Sequence, residues 1–321
     1  MSKIWEIVEQ EDRQAWDAFV ACSPQRSIFV QTRFLDALMT DYHLVTCREA
    51  GKIVAGTAIM LDSVGRPMRS VFPFTQYQGI LLADYGGLPG HSRLAREFKL
   101  VDFFIAELAR RYGRYSLCQS WRLPDLRPFQ WFNYHEPGKD RFRLDLRYSG
   151  VLTRAAFKDA ESHLSSVRSA RRQEFRKATD QLRLAMRDDE DVLADLYQRT
   201  FARQQIEVPV QEAALVRSIL RHASAGGFGR MACALLDGVA VSAVLFLYDD
   251  RTAYYLFGAN DPDYRGCYGG TFLLMTMLRD AFDRGMQEVD LVGVNSPNRG
   301  DFKLSLNAEL RPYFVTTLEA P

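Results

Sequence analysis

The pattern of apolar and polar residues divides the first half of the chain into short strands and amphipathic helices. Residues 4–9 alternate as a strand does, and residues 92–112 carry apolar side chains at helical spacing. Residues 43–48 and 53–61 flank a glycine-bearing turn, which predicts a hairpin. A further strand is predicted near residues 69–72. Strands and helices that alternate in this way indicate a mixed α/β domain.

The second half has a more regular pattern, in which three apolar strands follow one another closely. They are joined by Asp237-Gly238 and Asp249-Asp250, both suited to tight turns, and this predicts an antiparallel meander. After the meander, a glycine-bearing loop leads into an amphipathic helix, an apolar strand and a closing strand. These segments are residues 260–268, 269–284, 289–292 and 311–318.

Composition restricts the class of protein. A chain of 321 residues with 47% hydrophobic residues is long and apolar enough for two folded domains, which we place at residues 1–150 and 151–321. The net charge of +1 means that any phosphate or nucleic-acid site must be a local patch. Five scattered cysteines without a C-x-x-C pair indicate free thiols in a reducing compartment. With no apolar leader or membrane span in the sequence, we expect a cytoplasmic protein.

A basic segment joins the two halves. Arg168, Arg172 and Arg176 repeat at a spacing of four residues and therefore share one face of a helix. Such a stripe can bind the phosphates of a nucleotide, of coenzyme A or of a tRNA acceptor end. A solvated helix face accounts for the same pattern, and both interpretations stay open.

A glycine-rich turn precedes the amphipathic helix of the second half. Glycines at the start of a helix expose successive backbone N–H groups at its positive end, where a pyrophosphate or another anion can bind. A plain glycine-rich helix start is the alternative. The candidate donor-binding residues are Arg265, Gly266, Tyr268, Gly269, Gly270 and Thr271.

This turn resembles the acyl-CoA turn of the GNAT acyltransferases, whose pattern is Arg/Gln-x-x-Gly-x-Gly/Ala followed by paired apolar residues. Arg265 matches the first position and Gly270 the last, and Leu273-Leu274 match the apolar pair. Tyr268 stands where the family has its middle glycine. The resemblance implies an acyl group bound as an activated ester or thioester.

The C-terminal segment is similar to that of the FemAB-like transferases, a tandem-GNAT group that includes peptidoglycan-bridge aminoacyltransferases. Phe302-Lys303 match the Phe-Lys pair of that group, and residues 165–172 and 176–178 resemble its basic connecting helix. The resemblance implies an α/β (α+β) protein of two GNAT-like domains, the first degenerate, each a largely antiparallel mixed sheet flanked by helices. It also implies that Lys303, placed by Phe302, stabilises negative charge on the donor or the tetrahedral intermediate.

Two more residues are candidates for catalysis. Tyr255 is a phenol that can protonate the leaving group, although a buried strand tyrosine is the commoner role. Asp290 is a candidate general base because it stands beside an apolar strand, where burial would raise its pKa, or it is a charge at the strand edge. No Ser-His-Asp or Cys-His signature and no metal-ligand spacing is present in the sequence.

The expected function is N-acyl transfer without a tightly bound cofactor or a metal. The donor is either an aminoacyl-tRNA or an acyl-CoA. The acceptor is an amine of a cell-envelope precursor, an amino sugar or a secondary metabolite, on a small molecule, a glycan or a peptide. A catalytically silent GNAT-like binding module is the alternative from a different class.

Overall fold

The computed structural model describes residues 5–203 and 205–321, and these form two compact units. Unit 1 comprises residues 5–35, 40–147 and 312–321, and unit 2 comprises residues 36–39 and 148–311. The division predicted between residues 150 and 151 therefore differs from the structure at residues 36–39, at residues 148–150 and in the last segment. Residues 312–321 belong to unit 1 because the final strand pairs with a strand of that unit.

Unit 1 contains a four-stranded antiparallel sheet in the order β1-β2-β3-β4, with helices around it. Its elements are β1 (Trp5–Glu9), α1 (Arg13–Cys22), α2 (Thr32–Leu35), β2 (Tyr42–Glu49), β3 (Lys52–Met60), β4 (Leu81–Leu82), α3 (Gly90–Tyr112), β5 (Ser116–Gln119), α4 (Arg127–Trp131) and the first part of β6 (Arg141–Thr153). The helix α1 begins after Asp12, whose carboxylate accepts a hydrogen bond from the Ala15 N–H at 3.0 Å. Its core includes the buried stripe Leu100, Phe104 and Leu108 of α3.

Unit 2 holds the larger part of the second sheet, in the order β6-β11-β10-β9-β8-β7, and every neighbouring pair except β10 and β11 is antiparallel. Its elements after β6 are α5 (Ala160–Ser166), α6 (Ser169–Gln181), β7 (Arg183–Met186), α7 (Glu190–Ala202), α8 (Val210–Ala225), β8 (Gly229–Leu236), β9 (Val239–Tyr248), β10 (Thr252–Asn260), α9 (Gly269–Asp283), β11 (Glu288–Asp290), α10 (Pro297–Leu304) and β12 (Glu309–Glu319), whose end from residue 312 pairs with β5 in unit 1.

The helix α9 is the centre of the core of unit 2. Leu273, Leu274, Met277 and Leu278 are buried against the sheet, as their spacing predicts. The stacked rings of Phe175 and Phe272, with centroids 6.3 Å apart, join α6 to α9. The sheet and α6 thus fix the position of the first turn of α9.

The predicted fold class is confirmed, because both units are mixed α/β and their strands are largely antiparallel. The β2–β3 hairpin and the β8–β9–β10 meander also form as predicted. The strand predicted near residues 69–72 is wrong, since that segment forms bends and no ladder. The sequence did not predict β7 or α10. Within the described residues, no helix combines the length and the apolar character that crossing a membrane requires.

Candidate active site

A gap opens in the sheet of unit 2 where two parallel strands separate. The strands β10 and β11 pair from Thr252 and Glu288 to Tyr254 and Asp290, where β11 ends. The strand β10 continues for six more residues to Asn260 without β11 beside it. Such a gap leaves backbone groups of both strands available to other partners.

The edge of the gap on β10 is formed around Tyr255, which is 8% exposed. The register against β9 shifts between Tyr255 and Phe257, so that Leu256 is an extra residue in a β-bulge. The Tyr255 ring lies over Gly258, where a Cβ atom would come within 2.6 Å of the ring. Only glycine at position 258 therefore leaves room for the Tyr255 phenol.

The edge of the gap on the β11 side is a bulged turn. The N–H groups of Leu291 and Val294 donate to the carbonyls of Gly150 and Tyr148 on β6, at 2.8 and 2.9 Å. Three residues of the turn thus span the distance of two residues on β6, as in a bulge. Val292 and Gly293 lie between these bonds, and both have φ of 48°.

Lys303 lies in this gap. Its ammonium group donates hydrogen bonds to the carbonyl oxygens of Val292 and Gly293, the second at 3.2 Å. The same Nζ atom is 5.1 Å from the centre of the Tyr255 ring, within the range of a cation–π contact. The helix α10 presents Lys303 from its last turn, so the lysine connects the two separated edges.

The surroundings of Lys303 lower its pKa to about 7. Burial is the main cause, because the charged ammonium loses its hydration. The positive charge of Arg299 lowers the pKa further, while the negative charge of Asp290 opposes the shift. Near neutral pH, Lys303 therefore exchanges readily between its ammonium and amine forms.

The first turn of α9 begins beside this gap. Phe272 makes the first intrahelical hydrogen bond, to the carbonyl of Tyr268 at 3.0 Å, so the N–H groups of Gly269, Gly270 and Thr271 precede the hydrogen-bond ladder. Among the described residues, no side chain caps the helix. These N–H groups are therefore oriented to bind an anion.

Tyr268 has φ of 59° and ψ of 33°, the left-handed conformation that glycine adopts most easily. The backbone of the turn thus has at Tyr268 the conformation that a glycine would favour. Gly269 and Gly270 serve packing as well as anion binding. A Cβ atom at Gly269 would lie 2.8 Å from the Cβ atom of Ser242 on β9, and one at Gly270 would lie 2.8 Å from the Asn260 amide oxygen.

A cleft of about 630 Å³ connects the first turn of α9 with Tyr255 and Phe302. Four arginines line it against two carboxylates, Glu174 and Asp261. Both carboxylates are already paired, Glu174 with Arg171 at 2.5 Å and Asp261 with Arg199. The cleft therefore attracts anions. The four lining arginines are Arg171, Arg203, Arg265 and Arg299.

Phe302 and Arg171 form one wall of the cleft. The Arg171 guanidinium lies 5.4 Å from the centre of the Phe302 ring, and it also binds Glu174. Glu174 in turn accepts a hydrogen bond from the Thr271 hydroxyl at 2.7 Å. Through these contacts α6 and α10 hold the wall beside the start of α9.

Comparison with known families agrees with this geometry. Residues 162–304 match the model of the Acetyltransferase (GNAT) domain. Most of unit 2 therefore matches a GNAT domain. This GNAT segment contains the meander, the start of α9 and Lys303. A search of curated protein sequences gave no match.

Solved structures extend the likeness over nearly the whole chain. FemX has a TM-score of 0.65 at 13% identity, covering 96% of each chain. A tandem GNAT protein of the clavulanic acid biosynthesis pathway has a TM-score of 0.55 at 14% identity, covering 98% of each chain. The C-terminal domain of a putative lysylphosphatidylglycerol synthetase from Agrobacterium fabrum has the same TM-score and identity, covering 96% of this chain and 91% of that one. The fold is that of the FemAB-like tandem GNAT proteins.

The GNAT domain brings most of the residues predicted for the site together. All six residues predicted in the glycine-rich turn line the cleft, as do Tyr255 and Phe302. Lys303 contacts Tyr255 beside it. Asp290 is 2% exposed and lies at the end of β11, outside the set of described residues that line the cleft.

The predicted arginine stripe is not among the described residues that line the cleft. Arg168 forms a bidentate ion pair with Asp301 at 2.7 and 2.8 Å, and Arg172 donates to the Ser165 carbonyl at 2.5 Å. Arg176 is exposed on α6. Arg171, beside the stripe on the same helix, lines the cleft instead.

Sequence reasoning missed Glu174, Arg203 and Arg299 as lining residues. Arg299 stands three residues before Phe302, so helical spacing in α10 was a usable signal once that helix was assigned. Glu174 stands three residues after Arg171 on α6 and was open to the same reasoning. Arg203 follows α7, and no local pattern marks it.

Proposed function

We propose that the protein is an N-acyltransferase that moves an acyl or aminoacyl group from an activated donor to an amine. The observation that carries the proposal is the Lys303 ammonium, held by two carbonyl oxygens in the gap between β10 and β11. It lies beside an arginine-rich cleft that begins at the open N-terminus of α9. One end of the site thus suits a phosphate-bearing carrier, and the other suits a reacting carbonyl.

The donor proposed is an acyl-CoA or an aminoacyl-tRNA, which share phosphates and an activated carbonyl. Phosphate groups suit the N–H groups of α9 together with Arg265 and Arg299. The left-handed backbone at Tyr268 favours the acyl-CoA, because it keeps the form of a glycine turn. The Phe302-Lys303 pair and the FemX-like fold favour the aminoacyl-tRNA.

The proposed chemistry needs no covalent enzyme intermediate. A neutral acceptor amine attacks the carbonyl carbon, a C–N bond forms, and the carbonyl oxygen becomes an oxyanion that Lys303 stabilises. The intermediate collapses with cleavage of the C–S bond of a thioester or the C–O bond of an ester. The proton lost by the amine is taken up by the departing thiolate or alkoxide.

Tyr255 suits the role of a proton donor to the leaving group or of a hydrogen-bond donor to the oxyanion. Burial raises its pKa above the usual value, so the phenol keeps its proton at neutral pH. Phe302, stacked with Arg171, excludes water from the same side of the cleft. Exclusion of water strengthens each electrostatic contact with the oxyanion.

The acceptor proposed is an amine of a cell-envelope precursor, an amino sugar or a secondary metabolite. FemX is a peptidoglycan-bridge aminoacyltransferase, which supports a cell-envelope acceptor. The neighbour from the clavulanic acid pathway supports a secondary-metabolite amine. A panel of amino sugars, peptide amines and small amines distinguishes these classes.

The test is calorimetry of the purified protein against acetyl-CoA and against charged tRNA, followed by transfer of the radiolabelled acyl group to that panel. We expect one donor to bind. Lys303→Ala should retain that binding within about threefold and lose turnover by about 100-fold or more, since it removes the oxyanion's cation. Lys177→Ala, on the exposed face of α6, is the matched control and should behave as the wild type. Binding of neither donor and no transfer would indicate a silent binding module, whereas full turnover by Lys303→Ala would refute the role proposed for Lys303.

The pH dependence provides a second readout. The ammonium form of Lys303 is the active one, so turnover should fall as pH rises through about 7. At low pH the rate should fall as well, because the acceptor amine becomes protonated. Lys303→Arg keeps its charge over this range and should lose the alkaline limb in any activity that it retains.

A further inference from the structure

Asp290, at the end of β11, is a buried carboxylate with two hydrogen-bond donors close to it. It is 2% exposed, and its Oδ1 atom accepts hydrogen bonds from the Ser149 hydroxyl and, at 2.8 Å, from the Val292 N–H. Ser149, on the neighbouring strand β6, is itself fully buried. The carboxylate therefore binds both a side chain of β6 and the backbone of the bulged turn.

The turn that Asp290 binds has an unfavourable backbone conformation. Val292 has φ of 48°, and the left-handed region is unfavourable for an L-residue, with a β-branched side chain among the worst suited. Gly293 follows with the same φ and pays no such penalty. The strained conformation of Val292 persists only where surrounding contacts hold it.

The strained turn has a direct effect on Lys303. Because Val292 and Gly293 are consecutive left-handed residues, both of their carbonyl oxygens accept hydrogen bonds from the same Nζ atom. With Val292 in an extended conformation, successive carbonyls would point to opposite sides of the chain. The conformation of the turn therefore determines where the ammonium group lies.

We propose that Asp290 and Ser149 are the positioning residues of this site, and that the Asp290 carboxylate holds the Val292–Gly293 turn in the form that directs two carbonyl oxygens at Lys303. Asp290 acts through the backbone and not as the general base. The inference rests on the role proposed above for Lys303. It assigns a function to a buried carboxylate that does not line the cleft.

The charged and titratable groups around Lys303 make the proposal measurable. Asp290 on β11 favours the ammonium form, Arg299 on α10 disfavours it, and Tyr255 on β10 stays neutral. Loss of the Asp290 charge should therefore lower the pKa of Lys303. Loss of the two carbonyl acceptors as well should lower it further.

The experiment measures the reactivity of Lys303 in the free protein, without donor or acceptor. Each lysine is labelled competitively with trace acetic anhydride over a pH series, and peptide mass spectrometry gives its rate of acetylation. The midpoint of that rate against pH reports the pKa of the lysine. The wild-type midpoint for Lys303 should lie near pH 7. Asp290→Asn keeps an oxygen acceptor but removes the charge, and should lower the midpoint by about one unit. Asp290→Ala removes both and should lower it further.

Asp249→Asn is the matched control. Asp249 is likewise buried and binds a turn, because its carboxylate accepts hydrogen bonds from the N–H groups of Arg251 and Thr252 and from the Tyr254 hydroxyl. The same chemical change there should leave the Lys303 midpoint unaltered. A shift equal to that of Asp290→Asn would mean that any buried aspartate of the sheet has this effect, and would overturn the proposal.

A second background tests the turn itself and remains usable if Asp290→Ala does not fold. With Val292→Gly, the left-handed conformation needs no support, so Asp290→Ala should give the same Lys303 midpoint as Asp290→Asn. The proposal would be contradicted if the Lys303 midpoints of Asp290→Ala and Asp290→Asn still differed in this background. It would also be contradicted if Asp290→Ala and Asp290→Asn alone both kept the wild-type midpoint. A shifted midpoint in a protein that transfers no acyl group would retain the positioning role and refute only the transferase.

Discussion

Neighbouring strands separate in both units, but different side chains occupy the two separations. In unit 1, β3 and β4 pair only at Ala55–Leu82 and Gly56–Leu81. The Gln119 side chain fills the space before β4, accepting from the Ile80 N–H at 3.0 Å and donating to the Thr316 hydroxyl at 3.0 Å. In unit 2, the gap between β10 and β11 holds Lys303 and lies beside the cleft.

The helices that follow the two separations both begin without a side-chain cap among the described residues. In the loop before α3, the Asp84 carboxylate accepts a hydrogen bond from the Gly86 N–H at 2.7 Å. In front of α9, arginines line the cleft. A cleft of about 340 Å³ in unit 1 lies elsewhere, beside β1 and the C-terminal part of α3.

The comparison teaches that the fold alone does not create a site. In unit 1, the Gln119 side chain satisfies a backbone N–H beside the short strand β4. In unit 2, the strained Val292–Gly293 turn and Lys303 replace the missing ladder. The difference lies in whether a neutral amide or a cation occupies the separation between the strands.

The largest expected effect is on stability and comes from a substitution beside Gln119 in unit 1. A Cβ atom at Gly79 would lie 2.7 Å from the Gln119 Cα atom and 2.8 Å from the Cys118 carbonyl oxygen, both backbone atoms that cannot rotate away. Gly79→Ala should therefore lower the free energy of unfolding by about 3 kcal/mol, measured by urea denaturation.

Gly87→Ala is the control for this prediction, because no atom lies within 4 Å of the added Cβ atom and the change should stay within about 0.5 kcal/mol. Donor affinity of Gly79→Ala, measured below its unfolding transition, should equal that of the wild type. Loss of donor binding there would show that unit 1 also has a site, and would break the comparison.

A smaller effect is expected on donor affinity when an arginine in front of α9 is removed. Arg265→Ala should reduce affinity for the donor about tenfold, or about 1.4 kcal/mol, because it removes one phosphate-facing cation from the cleft. The effect should shrink at high salt. Calorimetry at two salt concentrations measures both. Arg93→Ala, in the first turns of α3, is the control and should bind the donor normally; an equal loss there would remove the distinction between the units.

The smallest effect concerns the left-handed residue before α9. Tyr268→Gly relieves backbone strain but loses a half-buried ring and adds chain entropy, so the free energy of unfolding should change by less than about 1 kcal/mol. Affinity for acetyl-CoA should change less than threefold, because the backbone already has the glycine-like form. Tyr264→Gly starts from a φ of −107° and gains no such relief, so thermal denaturation should show it to be the less stable variant.

The local features of this protein can be predicted from neighbouring residues of its sequence. The meander followed from Asp237-Gly238 and Asp249-Asp250, since tight turns need only neighbouring residues. The start of α9 followed from its glycines and its apolar stripe, and Phe302-Lys303 followed from resemblance. Each of these signals lies within a few residues of the chain, so each can be recognised in the sequence without the structure.

Which distant residues come into contact depends on the tertiary structure. Ser149 and Asp290 are 141 residues apart and become neighbours because β6 pairs with β11. Arg171 reaches the cleft, rather than Arg168, because α6 packs on α9 through Phe175. The strain at Val292 likewise depends on hydrogen bonds from β6 and α10. Contacts of this kind are set by the order of strands and the rotation of helices, which no local pattern contains.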